Sequence, residues 1–138
     1  MRIIFTVFWA AVLFTFTCSI NFQALLHQQL IDFRFNPAPD WSELFRMDFQ
    51  WYRNDWILRK AGHLIGFFVL ALSASNFGKI RFAFILCILY AAATEILQLY
   101  FFRGGRIYDV INDSFGIILA YLVCKLFFSR KYVNSSDT

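Results

Sequence analysis

The chain has 138 residues, of which 59% are hydrophobic, 21% aromatic and only 16% charged, with a net charge of +4. So small a soluble domain is mostly surface and could not bury this much Phe, Leu and Ile, which excludes an ordinary soluble fold and makes a single membrane-embedded domain over 1–138 the expectation. The basic residues gather at the ends of apolar segments and form no stripe interleaved with exposed aromatics, which argues against nucleic acid.

About 20 apolar residues cross the hydrocarbon core, and only helices or closed barrels satisfy their backbone there. Runs near 3–26, 57–77, 82–102 and 110–128 meet that length or nearly so, and they are too long and too little alternating for barrel strands. The fold expected is an all-α bundle of four transmembrane helices. The first run follows Arg2 and lacks a clean small-x-small cleavage site, so it reads as an uncleaved helix rather than a signal peptide.

Between the first two spans lies a longer polar and aromatic stretch. Asn36-Pro-Ala-Pro39 is turn-prone, and Asp40-Trp-Ser-Glu43 has capping-box spacing. Trp41, Phe45, Phe49, Tyr52 and Trp56 then recur at helical spacing. The expectation is an amphipathic helix over about 40–56, lying in the headgroup zone or packed on the bundle. Arg2, Lys79, Arg81, Lys125, Arg130 and Lys131 sit in short acid-poor segments, whereas the cations after the first span are mixed with Asp32, Asp40, Glu43, Asp48 and Asp55. Both termini are therefore expected on the cytoplasmic side of the cell membrane. Cys18, Cys87 and Cys124 lie within apolar runs and read as packing residues.

The second span opens with Lys60 and His63, the third closes with Glu95 and Gln98, and the fourth opens with Asp109, Asn112 and Asp113. Arg103 and Arg106 stand in the connection between the last two. An up-and-down bundle brings these ends to one membrane face, the outer one on this topology. A carboxylate within an apolar span costs about 2.5–3.5 kcal/mol, so Glu95 and Asp113 demand partners. Spacings of three and four put Lys60 with His63, Glu95 with Gln98, and Asp109 with Asp113 on shared helix faces. Gly62 and Gly66 are expected to let helices approach near His63.

Lys60-x-x-His63, Glu95-x-x-Gln98, then Arg103, Asp109, Asp113 and Gly116 in that order resemble the VanZ-like family of bacterial membrane proteins, over Lys60 to about Tyr121. The chain carries Arg103-Gly-Gly-Arg106 where a single arginine in a Pro-Gly-Arg context is more usual, and spacing favours Arg103 for that place. The resemblance implies a multi-pass cell-membrane protein, and the family takes its name from a member linked to teicoplanin resistance.

The function expected is a polar pocket that binds an anionic headgroup of a cell-envelope lipid or lipopeptide, with a possible link to glycopeptide tolerance. Lys60, Arg103 and Arg106 would contact the anion, and Glu95, Asp109 and Asp113 would orient those cations and His63. One alternative is an enzyme acting on a lipid headgroup with His63 as base, although no Gly-x-Ser-x-Gly or His-Glu-x-x-His motif is present. A second is a small transporter or proton-coupled protein. No cofactor or metal is assigned, a metal set of His63, Glu95, Asp109 and Asp113 being a weaker reading. Membrane lipids are the partners expected.

Overall fold

A computed structural model describes residues 1–19 and 33–128, and within them every regular element is helical. The end of the first predicted span (20–26), His27, Asp32, Arg130, Lys131 and the polar tail after Val133 lie outside the described residues.

Helix α1 runs over Arg2–Cys18, α2 over Asn54–Ala74, α3 over Phe82–Tyr100 and α4 over Ile107–Val123, the last continuing through one wider π turn at Cys124–Phe128. Three stretches, Asn54–Ala74, Phe82–Tyr100 and Ile107–Phe127, are long and apolar enough to cross a membrane. Helix α1 is apolar but, over its described 17 residues, shorter. Helices α2 and α4 both start about three residues before their apolar runs. Each has an acidic residue in its first turn, Asp55 and Asp109, where the helix dipole favours negative charge.

The amphipathic helix expected over about 40–56 does not form as one element. Asp40 does cap a helix, its Oδ1 accepting from the Ser42 amide at 2.9 Å, but the result is a single 3₁₀ turn, Trp41–Phe45. Residues 46–50 are non-helical, a turn follows at Trp51 and Tyr52, and α2 begins at Asn54. The reason is tertiary. The segment's aromatic rings pack onto different helices: Trp41 and Phe35 against Tyr100 of α3, Phe49 against Tyr108 of α4, and Trp51 against Trp56 of α2. A straight helix could not reach all three.

A core of large apolar side chains packed against small ones holds the bundle. Phe67, Leu70 and Ala71 of α2 meet Phe84, Cys87 and Ala91 of α3 and Ile117 and Ala120 of α4, with Leu13 of α1 against them. Gly116 sets the spacing of α2 and α4, since a Cβ there would lie 2.2 Å from the Leu64 carbonyl oxygen. Gly66 makes room for α1, its absent Cβ falling 2.5 Å from the Leu13 side-chain methyl, and its carbonyl accepts from Trp9 Nε1 at 2.9 Å. Gly62 has open space at its Cβ position, so the close approach beside His63 is made by Gly116 instead. Ile65, Ile85, Leu89, Phe115 and Leu122 point outward, as lipid-facing residues do.

Candidate functional site

Helices α2 and α4 pair their first turns. Lys60 Nζ is hydrogen-bonded to Asp109 Oδ1, and both side chains are nearly buried. The same ammonium lies over the Tyr108 ring, 4.4 Å from its centroid, and 5.4 Å from that of Trp56. Asn112 Nδ2 donates to the Lys60 carbonyl at 3.1 Å and completes the junction. One helical turn deeper, His63 Nδ1 faces Asp113 Oδ2 at 3.3 Å. Asp113 is fully buried, and its second oxygen, Oδ1, has no hydrogen-bond partner among the described residues. These pairs exist because Gly116 lets α4 approach the α2 backbone one turn below them.

Helix α3 brings Glu95, which is 1% exposed. Gln98 Nε2 donates to Glu95 Oε1 at 2.8 Å, and the backbone N–H of Arg106 donates to Oε2 at 2.9 Å. The second bond explains the glycine pair before Arg106. Gly104 has φ +64°, a left-handed conformation that costs most other residues strain. Gly105 presses against α3, for a Cβ there would fall 1.7 Å from the Glu95 carbonyl oxygen. The connection folds onto α3 and delivers an amide to the buried carboxylate.

The two arginines part ways. Arg103 Nε donates to the Thr17 carbonyl of α1 at 3.2 Å, and burial, with Arg59's charge nearby, holds its guanidinium below the usual arginine range. Arg106 turns outward. Its Nη1 donates to the Tyr108 hydroxyl at 2.8 Å and its Nη2 to Asp48 Oδ2 at 3.3 Å, and Tyr108 in turn donates to the Asp48 carbonyl. Burial pulls the Arg106 guanidinium down, but Tyr108 and Asp48 more than offset it and leave it above its ordinary value. The Asp48 carboxyl is held low, first by its hydrogen bond from Gln50 and then by Arg106.

All eight residues singled out in the sequence thus meet at one end of the bundle. Lys60, His63, Gln98, Arg103, Arg106 and Asp109 line a polar cavity of about 40 Å³, together with Arg59 and Gly104. Glu95 and Asp113 lie buried behind it. A second cavity, apolar and about 360 Å³, runs between α1 and α2 along Trp9, Leu13, Phe16, Gly62 and Ile65, and it also reaches Arg59 and His63.

Two expectations change. Arg106 serves the carboxylates through its amide, its side chain being committed to Asp48 and Tyr108. Asp109 is taken by Lys60 and stands apart from the group His63, Glu95 and Asp113, whose ligand atoms lie within 4.8 Å of one another. Arg59, Asp48, Tyr108 and Thr17 were not legible as site residues. Arg59 resembles any cation snorkelling at a helix end, and Asp48 is one of several acids in a polar stretch.

The family model described as VanZ/LLP1 matches residues 2–128. The chain is 36% identical over 115 residues to the "Uncharacterized membrane protein YwnJ" of Bacillus subtilis (strain 168), a match that covers 82% of each chain. No solved structure matches it significantly.

Proposed function

The chain belongs to the VanZ/LLP1 family of membrane proteins, and from that premise we propose that its polar end binds the anionic headgroup of a cell-envelope lipid, with the acyl chain along the α1–α2 groove. One observation carries this reading: the polar cavity and the apolar cavity share Arg59 and His63. A ligand that is charged at one end and apolar at the other would reach both, passing these two side chains. Arg59 and Arg103 supply planar forks suited to phosphate or carboxylate oxygens, and Lys60 supplies a point charge steadied by Asp109. The polar cavity is small, with room for a few waters or one anionic group. That size favours a lipid phosphate over a whole glycopeptide. Glycopeptide tolerance, if this member confers it, is then a consequence of engaging an envelope lipid or lipopeptide anchor.

The topology that goes with this reading counts α1 as a fourth span beside the three long apolar helices, with both termini cytoplasmic and the polar end outside. Arg2, Lys79, Arg81 and Lys125 lie at the opposite end of their helices, as the positive-inside bias requires. Trp51, Tyr52, Phe45 and Met47 stay exposed beside the polar end, where an interfacial belt would take them up.

Native mass spectrometry of the detergent-purified protein with anionic phosphatidylglycerol, cardiolipin and undecaprenyl phosphate tests the reading, with phosphatidylcholine as control. Retention of an anionic lipid, lost in Arg103→Ala and weakened in Gly62→Phe, is expected. Equal retention of the zwitterionic control would overturn it.

A further inference from the structure

The geometry points to a divalent transition-metal site of the zinc class held by His63, Glu95 and Asp113, below the polar cavity and independent of the headgroup reading. The group is mixed, one imidazole and two carboxylates contributed by three different helices, α2, α3 and α4. Its ligand atoms already lie within 4.8 Å of one another. Closing them on one ion, with bonds of about 2.0–2.2 Å, draws those atoms together by about an ångström.

Two further observations aim the group at a cation. The first is Asp113 Oδ1. It belongs to a fully buried carboxylate and has no hydrogen-bond partner among the described residues. A buried carboxylate oxygen left without a donor is costly, and a metal ion is a partner that satisfies it. The second is the 3.3 Å separation of His63 Nδ1 and Asp113 Oδ2. A charge-assisted hydrogen bond between such groups draws in to about 2.7–2.9 Å. Two ligands bonded at about 2.0–2.1 Å to a tetrahedral ion stand about 3.3–3.4 Å apart. The pair's separation, a long hydrogen bond, also fits two co-ligands of one ion.

The surroundings suit the assignment. Glu95 is oriented by Gln98 on Oε1 and by the Arg106 amide on Oε2, each oxygen keeping a second lone pair for a metal. Asp109, the fourth acid nearby, is neutralised by Lys60 and leaves the cluster of three to the cation. His63 also lines the polar cavity, which leaves room for water as the fourth ligand. Nitrogen and carboxylate ligands without sulfur favour Zn²⁺, Mn²⁺ or Co²⁺ over Mg²⁺, which keeps its waters, and over Cu⁺, which seeks thiolates.

The test uses the full chain in detergent, stripped with chelator, then dialysed against Zn²⁺ or Co²⁺ and desalted. Expected are about one metal per chain by elemental analysis and the intense visible absorption of four-coordinate Co²⁺. X-ray absorption on the wild-type protein should show only nitrogen and oxygen ligands, a readout that needs no variant. Affinity should fall at least ~100-fold in both His63→Ala and Glu95→Gln and stay within a few-fold of wild type in Asp40→Asn, an exposed position outside the site. A folded, monodisperse wild-type chain that retains under a tenth of an equivalent would overturn the site. So would sulfur ligation from Cys18, Cys87 or Cys124, or metal retained in both variants. Lipid retention measured on the stripped protein keeps the two readings apart, since the headgroup cations Arg59, Lys60 and Arg103 are not ligands.

Discussion

The two ends of the bundle solve the same problem by opposite means. Each holds a short connection with left-handed residues, Asn76, Phe77 and Gly78 at one end and Phe102 and Gly104 at the other. At the 75–81 end the serines are satisfied mostly close by in sequence, Ser73 Oγ donating to Leu70, Ser75 Oγ to Leu72, and Ser75 Oγ accepting from the Gly78 amide, with one bond from Ser75 across to Cys124. At the 101–106 end the bonds cross the molecule, joining Lys60 to Asp109, His63 to Asp113, Arg103 to Thr17 and Arg106 to Asp48. Locally satisfied polar groups finish a helix, and any similar turn serves equally well. Groups satisfied only across helices tie the positions of all four helices to one another, which is the pre-organisation a binding site needs.

That contrast yields expectations of graded size. The largest is for Gly105→Ala, whose methyl would collide with the Glu95 carbonyl. Reversible unfolding in mixed micelles should show a loss of about 4 kcal/mol or more, or no folded protein at all. Its counterpart Gly78→Ala, strained at φ +86° and 2.8 Å from Cys124 Cβ rather than against a helix carbonyl, should cost less, about 2–3 kcal/mol. Comparable losses at the two positions would remove the distinction between the ends.

Next comes the α2–α4 ion pair. Lys60→Met leaves Asp109 nearly buried and unpaired and should cost about 3 kcal/mol in the same assay. The double variant Lys60→Met/Asp109→Leu should recover at least about 1 kcal/mol of that, because the stranded charge is gone. A double variant no better than the single would mean that the pair is positional rather than electrostatic.

The smallest effect concerns Asp48, which is part-buried and outside the spans. Its carboxyl is held below the ordinary value of 3.8, by Gln50 first and Arg106 among the other causes. A carboxyl depressed in the folded state contributes stability above its unfolded pKa and loses it as pH falls through the folded one. Melting temperature should therefore drop slightly on acidification below pH ~4, and Asp48→Asn should flatten that part of the profile. An unchanged profile in the variant would detach Asp48 from the Arg106–Tyr108 cluster.

Much of the fold and most of the site were legible beforehand because the signals are local. The long apolar runs mark α2, α3 and α4 within a few residues, and the polar residues at their ends mark the site. The aromatic period after Asp40 misled, since the rings that recur at helical spacing go separate ways: Trp41 packs on Tyr100 of α3, Phe49 on Tyr108 of α4, Trp56 belongs to α2, and Phe45 and Tyr52 stay exposed. Gly62 misled in the same way. A glycine at a plausible spacing is indistinguishable in sequence from the one, Gly116, that another backbone presses against.

By itself the sequence determined that this chain lives in a membrane, that its helices carry His63, Glu95 and Asp113 near their ends, and that those carboxylates require partners. The cost of an unpaired charge in an apolar span is a property of the residue and its neighbours along the chain. Only the tertiary structure decided which partner each group takes, that Glu95 is met by a backbone amide rather than a guanidinium, and that an apolar groove opens onto His63. Those outcomes depend on the rotation and separation of whole helices, which are set by contacts between residues about fifty positions apart in the chain, as His63 and Asp113 are.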